Sequence, residues 1–277
     1  MPAPLASPAP LPTSPWRATP LIRASLALHL LALVTVLWQP ALWTWAAGAV
    51  FADHLLLTAA GLWPRSTLLG ANIRCLPEGA AARGEVAITI DDGPDPAVTP
   101  AVLDLLDSYG ARATFFCIGR RARAHPELAR AIVERGHALE NHTEHHRHNF
   151  VMLGPRAYTR ELQAAQDSLT AIGGQRPQFF RAPAGLRNPF LGPVLARLNL
   201  RLTSWTRRGF DTREGVARHV LRRLLCGLRA GDILLLHDGH AARTTEGQPV
   251  ILAVLPELLS ALNRAGLRPV TLREALI

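Results

Sequence analysis

Strand-like and helix-like patterns alternate along the chain from residue 84 onwards. The strand-like runs are short, apolar and rich in β-branched residues, and they lie near 86–90, 113–118, 137–141, 178–181, 200–205, 232–236 and 268–271. Between them, apolar residues recur at helical spacing near 99–109, 126–135, 155–172, 190–198, 213–229 and 250–265. This alternation predicts an α/β fold with a parallel sheet or barrel, whose functional residues lie at the carboxyl ends of the strands.

The first 70 residues follow a different pattern. Residues 1–20 are rich in Pro, Ala and Ser, which is typical of a disordered tail. Neither Lys nor Arg occurs in the 41 positions between Arg23 and Arg65, and most of these positions are apolar. One membrane span needs about 20 residues, so this run is too long for a single crossing, and Pro40 divides it. The pattern predicts a hydrophobic, membrane-associated segment over residues 21–70.

Several arrangements of this segment are open. A hairpin of two spans would leave the arginines that flank the run on one side, and basic flanks favour the cytoplasmic side. Asp53 argues against the hairpin, because a charge in mid-bilayer is costly. A single span followed by an interfacial helix is one alternative, and a signal peptide cleaved after residues 47–49 is another. A buried helical pair in a soluble protein is the alternative without a membrane.

Composition narrows the function classes. The chain has 277 residues, 48% of them hydrophobic, which allows one domain of up to about 250 residues plus an extra segment. No internal repeat indicates a solenoid. The net charge of +9 comes from arginine alone and would suit nucleic acid or an anionic membrane. Since no nucleic-acid motif accompanies it, membrane proximity is the better explanation. The three cysteines show no spacing typical of a disulfide framework or a zinc site.

Two adjacent carboxylates follow the first strand-like run. Asp91 and Asp92 come directly after residues 85–90, and Gly93-Pro94 ends the run, because proline cannot donate to a strand ladder. Successive strand residues point to opposite sides, so the two carboxylates can do different work at one rim. A surface Asp-Gly turn is the alternative interpretation.

Polar residues follow three further strand-like runs. His142 and His146 are four residues apart, which on one helical turn would place both imidazoles on the same face. Together with Asp92 they make a typical catalytic zinc set, and a solvated polar loop is the alternative. Arg181 ends another run and could hold a carboxylate ionised. His237 ends the last of them and is suited to protonating a leaving amine.

These segments, in this order, resemble the polysaccharide deacetylase family, which is also called the NodB-homology domain or carbohydrate esterase family four. The resemblance covers about residues 84–274. It rests on residues 89–94 (T-F-D-D-G-P in the family), 142–146 (H-[S/T]-x-x-H), 181–183 (R-x-P) and 234–237 (L-x-x-H). Two features depart from the family's pattern. Ala184 stands where Tyr is usual, and the W-S-x-D-x-x-D-W motif is reduced to Trp205 and Asp211.

The resemblance implies a distorted (β/α) barrel of about seven parallel strands. It also implies that Asp92, His142 and His146 hold a divalent metal. That metal would be zinc, with Co²⁺ or Ni²⁺ as alternatives.

Catalytic roles follow from the same matches. Asp91 would be the general base, oriented by Arg181. His237 would be the general acid, tuned by Asp211. Ala184 keeps the backbone N–H that the family's Tyr contributes to the oxyanion hole, although it lacks the ring.

The implied function is metal-dependent removal of an N-acetyl group from an amino sugar in a polysaccharide or a lipid-linked saccharide. The alternatives are a deformylase, an O-acetyl esterase and an inactive carbohydrate-binding relative. The expected partners are such a glycan or lipid-linked sugar and a membrane, and no nucleic acid. We expect the protein at a bacterial inner membrane, with the catalytic domain on the cytoplasmic side.

Overall fold

The computed structural model describes residues 15–276, so most of the predicted disordered tail lies outside the described residues. Within this range one sheet contains eight strands: β1 (Glu85–Asp91), β2 (Ala113–Cys117), β3 (Ala138–Asn141), β4 (Phe179–Phe180), β5 (Arg201–Leu202), β6 (Arg207–Arg208), β7 (Ile233–His237) and β8 (Arg268–Pro269). All pairings are parallel. The main path runs β5-β4-β3-β2-β1-β7-β6, and β8 pairs with the start of β1. This curled, half-closed barrel confirms the predicted α/β fold.

Helices connect and cover these strands. They are α3 (Glu78–Ala82), α4 (Thr99–Ser108), α5 (Gly119–Ala124), α6 (Pro126–Glu134), α7 (Pro155–Gly173), α8 (Leu191–Arg197), α9 (Ala217–Leu225), α10 (Val250–Arg264) and α11 (Leu272–Ala275). Each of the six predicted helical patterns corresponds to one of them. Helix α7 ends at Gly173 and is capped by Gly174, whose left-handed φ of 68° suits glycine at that position.

The shortest strands differ most from the sequence prediction. Strands β4, β5 and β8 have two residues each, and β6 was not predicted. Strand β6 consists of Arg207 and Arg208 alone. Two adjacent arginines are neither apolar nor alternating in polarity, so the sequence gives no strand signal there. Arg207 is held instead by tertiary contacts, since its Nε donates to Oδ2 of Asp232 at 2.5 Å while its backbone pairs with β7.

The sheet is buried on both faces, as parallel sheets are. In β1, Val86, Ile88 and Ile90 pack into the outer core with α4, α9 and α10, whereas Ala87 faces an inner core that includes Leu235. Because every residue of β1 is buried, the strand fixes the position of whatever follows it.

Two apolar helices precede the α/β domain. Helix α1 (Pro20–Trp38) and α2 (Trp43–Leu62) are joined by a short 3₁₀ turn at Pro40–Leu42. They are the helices that, among the described residues, are long and apolar enough to cross a membrane. Their large side chains are mostly exposed, including Leu26, Leu30, Leu31, Leu33, Leu37, Trp38, Trp43, Trp45, Phe51, Leu55 and Leu56. A soluble surface rarely carries a contiguous apolar area of this extent.

Polar side chains meet between α1 and α2. The hydroxyl of Ser25 donates to Oδ2 of Asp53 at 2.6 Å, and Nε2 of His29 lies 3.1 Å from Nε2 of His54. Only 8% of the Asp53 side chain is exposed. The aspartate that argued against a hairpin therefore faces the partner helix and has a hydrogen bond there.

The end of α2 contacts the α/β domain, and the start of α1 contacts the segment that connects α2 to that domain. At the start of α1, Oγ1 of Thr19 donates to the carbonyl of Leu68 at 2.6 Å. At the end of α2, the carbonyl of Gly61 accepts from the backbone N–H of Arg187 at 3.1 Å. A Cβ on Gly61 would overlap the carbonyl oxygen of Arg187, so this close approach requires glycine. The Trp-bearing turn thus lies at the far end of the pair.

Candidate active site

The ends of β1 and β7 bring two of the predicted site residues onto one rim. The strands pair with Asp91 directly opposite His237, and both side chains are buried. Asp92 follows at once, and its left-handed φ of 76° ends the strand. The rim therefore presents an acidic pair next to an imidazole.

Asp92, His142 and His146 form a compact group beside this rim. Nε2 of His142 and Nε2 of His146 each lie 3.2 Å from Oδ1 of Asp92, and the two ring centroids are 4.8 Å apart. Oδ1 of Asp92 is buried and accepts no hydrogen bond from residues 15–276. A buried carboxylate oxygen that accepts no hydrogen bond is costly unless a cation or another donor binds it. Two imidazoles and one carboxylate are a typical ligand set for a divalent metal, so these residues fit the predicted one.

The tautomer of His142 and the pKa of His146 suit metal binding, whereas Asp91 and Asp92 outweigh the effect of burial and raise the pKa of His142. Nδ1 of His142 lies 2.8 Å from the carbonyl oxygen of Arg181. Because a carbonyl only accepts, Nδ1 carries the proton when the ring is neutral, and Nε2 presents its lone pair towards Asp92. Burial, reinforced by the neighbouring His142, lowers the pKa of His146 to about 4, so His146 is neutral at pH 7. Burial opposes ionisation of Asp92, but its contacts with His142 and His240 hold its pKa well below the usual value.

The segment that carries the two histidines is a loop, so the expectation of a helical turn is wrong. Thr143 and His146 have positive φ angles of 68° and 49°, which no α-helix contains. Side chains hold the loop: Oδ1 of Asn141 accepts from the N–H of Thr143 at 2.8 Å, and Oγ1 of Thr143 accepts from the N–H of His146 at 2.9 Å. The sequence pattern contained the right residues, but local hydrogen bonds, rather than helical periodicity, bring the rings together.

Arg181 is fully buried and bonded on every side. Its Nη1 donates to Oδ1 of Asp91 at 2.7 Å and to Oγ1 of Thr89 at 2.8 Å. Its Nη2 donates to the carbonyl of Ser204 at 2.9 Å, and its guanidinium lies 4.2 Å from the ring centroid of Phe116. A buried arginine paired in this way fixes the orientation of its carboxylate.

Asp211 holds His237 from behind. Its Oδ1 lies 2.9 Å from Nδ1 of His237, and its Oδ2 accepts from the backbone N–H of the same residue at 2.7 Å. Burial lowers the pKa of His237, but Asp211 and then Asp91 and Asp92 outweigh it and raise the pKa to about 9. His237 is therefore an imidazolium at neutral pH, with Nδ1 engaged by Asp211.

Ala184 lies three residues after Arg181, on a 3₁₀ turn at Pro183–Gly185. Its φ of 54° is left-handed, which is uncommon for a residue with a Cβ, and the residue is exposed. Strained backbone of this kind concentrates at functional sites. The role of its N–H in an oxyanion hole stays a prediction.

Sequence reasoning missed His240 and Arg121. Nδ1 of His240 lies 3.2 Å from Oδ2 of Asp92, and its Nε2 lies 3.0 Å from Nη2 of Arg121. Arg121 also donates through Nη1 to the backbone carbonyl of Asp92 at 2.9 Å. Only the position of His240, three residues after His237, could have drawn attention to it. Arg121 comes from α5 and has no signal in the sequence.

The site also explains the glycine that follows the two aspartates. A Cβ on Gly93 would overlap the carboxyl group of Asp238, which accepts from Oγ1 of Thr99 at 2.5 Å. Burial raises the pKa of Asp238 to about 7. Asp238 supports the turn after β1 and does not belong to the metal group.

Known proteins are similar to this chain over its α/β domain. The sequence model described as polysaccharide deacetylase matches residues 78–203. A peptidoglycan-N-acetylglucosamine deacetylase from Bacillus cereus is 32% identical over 203 residues, which cover 69% of this chain and 87% of that protein. A chitooligosaccharide deacetylase from Azorhizobium caulinodans is 36% identical over 200 residues, covering 68% and 95%.

Solved structures share the fold. A peptidoglycan N-acetylglucosamine deacetylase superposes with a TM-score of 0.67 and 26% identity, covering 74% of this chain and 92% of the other. A family 4 carbohydrate esterase from Streptomyces lividans, in complex with acetate, gives a TM-score of 0.61 at 30% identity and covers 67% and 91%. A pseudoenzyme of the same esterase family from Bacillus anthracis, 21% identical over 75% of this chain and 69% of that one, has a TM-score of 0.66 and shows the fold alone.

Proposed function

The chain belongs to the polysaccharide deacetylase family, and from this premise we propose that it removes the N-acetyl group from an amino sugar in a polysaccharide or a lipid-linked saccharide. The observation that carries the proposal is the arrangement at one rim. An arginine-paired carboxylate, Asp91, and a carboxylate-paired imidazolium, His237, lie opposite each other beside the group of Asp92, His142 and His146. The names of the relatives support N-acetylglucosamine as the acylated sugar.

Asp92, His142 and His146 would hold one divalent cation, for which we propose zinc and keep Co²⁺ and Ni²⁺ as alternatives. When bound, such a cation lowers the pKa of water towards about 7 and polarises an acyl oxygen. His240 and Arg121 hold the other side of Asp92, through its Oδ2 and its backbone carbonyl. We assign them to orienting Asp92.

Asp91 accepts the proton of the attacking water in this proposal. Arg181 occupies its Oδ1, which leaves Oδ2, 3.9 Å from Nε2 of His142, as the oxygen that faces the site. Hydroxide adds to the amide carbonyl carbon, and the N–H of Ala184 stabilises the oxygen that becomes negative. The hydrogen bond from Arg181 fixes the orientation of the base in the resting enzyme.

His237 supplies the proton for the leaving group. As an imidazolium it donates from Nε2 to the nitrogen while the C–N bond breaks, so that acetate and a free amine are the products. Asp211 stabilises the cation and keeps Nδ1 engaged throughout. An amine leaves poorly without such a proton, so the raised pKa of His237 supports an amide substrate over an ester.

We also propose that α1 and α2 anchor the enzyme in a membrane as a hairpin, upstream of a catalytic domain at 84–274. Their lengths, their exposed apolar surface and the internal bonding of Asp53 support a hairpin. Arg17, Arg23, Arg65 and Arg74 flank its open end, which supports a cytoplasmic side for the catalytic domain.

The test is acetate release by the purified full-length chain from a panel of N-acetylated glycans and lipid-linked sugars. Matched N-formyl and O-acetyl substrates separate the deformylase and esterase alternatives. We expect release from an N-acetyl substrate that a chelator abolishes and added Zn²⁺ restores. Absence of turnover on every substrate by zinc-loaded protein would favour an inactive carbohydrate-binding relative.

A further inference from the structure

Arg208, the second residue of β6, lies on the wall of the candidate active site. Its guanidinium carbon is 5.3 Å from the ring centroid of Trp205 and 5.0 Å from that of Phe210. The ring of Trp205 also lies 5.9 Å from the guanidinium carbon of Arg181, which holds the proposed base. Asp211, three residues further along the chain, holds the imidazole of the proposed acid. Arg208 is therefore close to both catalytic groups.

The charge of Arg208 is available to a ligand. Among the residues that the structure describes, no carboxylate lies within ion-pair distance of Arg208 and no group accepts a hydrogen bond from it. Its Nε is buried and out of reach of a ligand, whereas Nη1 and Nη2 keep accessible surface. Burial lowers the pKa of Arg208, and the charges of Asp211, Asp91 and Asp92 oppose this effect. A half-buried cation without a counterion is costly, and a bound anion would offset that cost.

Neighbouring arginines are already paired. Arg207, the other residue of β6, donates from Nε to Oδ2 of Asp232 at 2.5 Å. Arg223 donates from Nη1 to Oε2 of Glu214 at 3.3 Å. Arg208 differs from both in having a free charge. It also stands where the motif W-S-x-D-x-x-D-W has its first Asp, so the charge at this position is opposite to that of the motif.

The segment that follows α2 contacts the same wall. Nη1 of Arg65 donates to the backbone carbonyl of Thr206 at 3.3 Å. A Cβ on Gly185 would lie 2.5 Å from Cβ of Pro64 and 2.8 Å from Cη2 of Trp205, so these three residues are packed closely together. If the helical pair spans a bilayer, this wall adjoins its open end, and a substrate attached to a lipid would reach the site from there.

We propose that Arg208 binds a phosphate on the same sugar that carries the N-acetyl group, and that the substrate is a lipid-linked N-acetyl sugar. This inference rests on the proposed deacetylase function and narrows its substrate. In a 2-acetamido sugar, C1 and C2 are adjacent, so a phosphate on C1 lies next to the amide that is cleaved. The terminal nitrogens of a guanidinium match phosphate oxygens in a bidentate geometry. The contact between this wall and the segment after α2 favours a lipid over a nucleotide beyond the phosphate.

The test measures acetate release by zinc-loaded, full-length protein in nanodiscs. The three substrates are N-acetylglucosamine linked to a polyprenyl diphosphate, the same sugar linked to uridine diphosphate, and a long-chain alkyl glycoside without phosphate. We expect the highest kcat/KM for the polyprenyl substrate. Arg208→Gln should lower its kcat/KM, relative to that of the alkyl glycoside, about tenfold, because a hydrogen bond between charged groups is lost.

The matched control is Arg223→Gln. The guanidinium of Arg223 lies 5.8 Å from the same Phe210 ring but is paired with Glu214, so this variant should keep the ratio. If Arg208→Gln does not fold, Arg208→Met replaces it, because Met keeps an apolar stem between the two aromatic rings. A ratio that neither Arg208 variant changes overturns the proposal. An equal preference for the uridine diphosphate sugar would overturn the lipid as the source and keep the phosphate contact.

Binding measurements separate failure of this inference from failure of the proposed function. Calorimetry on Asp91→Asn, which should bind substrate without turning it over, compares the uridine diphosphate sugar with the methyl glycoside of N-acetylglucosamine. We expect the phosphate-bearing ligand to bind about tenfold more tightly, and the double variant with Arg208→Gln to lose this preference. The preference without acetate release by the wild type would refute the deacetylase function alone. Acetate release without the preference would refute the role of Arg208 alone.

Discussion

Replacing Asp211 with Asn should shift the descending limb of the pH–rate profile to lower pH. Asp211 contacts His237 at 2.9 Å and contributes most to its raised pKa. The rise from 6.5 to about 9 corresponds to roughly 3 kcal/mol, since one pKa unit is about 1.4 kcal/mol. Without the charge of Asp211, we expect the pKa of His237 to fall towards 6.5.

The magnitude can be worked out for a given pH. At pH 8 an acid with a pKa of about 9 is roughly 90% protonated, whereas one with a pKa near 6.5 is only about 3% protonated. Asp211→Asn should therefore lower kcat/KM about thirtyfold at pH 8. At pH 6, where His237 is largely protonated in both proteins, the loss should be much smaller. The descending limb of the pH–rate profile reports this directly.

Stability should change in the same window. The folded-state pKa of His237 lies above its unfolded value, so its contribution is fully present below pH 6.5 and is lost as the pH rises through 9. Melting temperatures of the wild type should fall across that interval, and those of Asp211→Asn should be flatter.

The matched control is Asp232→Asn, which removes a buried carboxylate just before the other end of β7, where it pairs with Arg207. This substitution should lower the stability of the protein but leave the descending limb of its pH–rate profile near pH 9. A limb that stays near pH 9 in Asp211→Asn would show that the raised pKa of His237 does not come from Asp211, or that His237 is not the acid.

Three further predictions concern the metal group, the base and the membrane. His146→Ala should lose most of the bound zinc measured by plasma emission spectroscopy. His145→Ala should keep it, because the ring of His145 pairs with Glu161 instead. Equal loading in both variants would contradict the ligand assignment. Asp91→Asn should keep the metal and the fold but lose about 10²–10⁴ in turnover, and a rate near the wild type would place the base elsewhere. A compartment-sensitive reporter at the C-terminus should report the cytoplasm in a membrane fraction, whereas a reporter signal from outside would reject the hairpin in favour of one span, and a fully soluble chain would reject both.

The parts of the fold that the sequence predicted are those with strong local patterns. Strands β1 and β7 are continuous apolar runs that end in polar residues, so both their positions and the residues at their ends could be predicted. Asp91 and His237 then meet because neighbouring parallel strands end at the same rim. Strand β6 could not be predicted, since Arg207 is held by a side-chain bond to a residue 25 positions away.

The geometry around the metal group depends on contacts that no local pattern contains. The histidine loop has left-handed residues where periodicity suggested a helix, because Asn141 and Thr143 bind its backbone. His240 reaches Asp92 only because its own φ of 59° turns the chain back after β7 and because Arg121 arrives from α5. Tertiary hydrogen bonds determined these positions, so one sequence could not show them.

The bond between Ser25 and Asp53 has a consequence for how the chain is assembled. If α1 and α2 span a bilayer, α2 entering alone would carry a bare aspartate to the interior, at a cost of about 2.5–3.5 kcal/mol on insertion scales. With α1 already present, Ser25 offers a hydroxyl to that carboxylate at 2.6 Å, and His29 lies beside it. The two helices would then partition as a single unit. A chain shortened at its N-terminus past α1 would leave α2 without its polar partner, so the loss of the first helix would also impair the integration of the second.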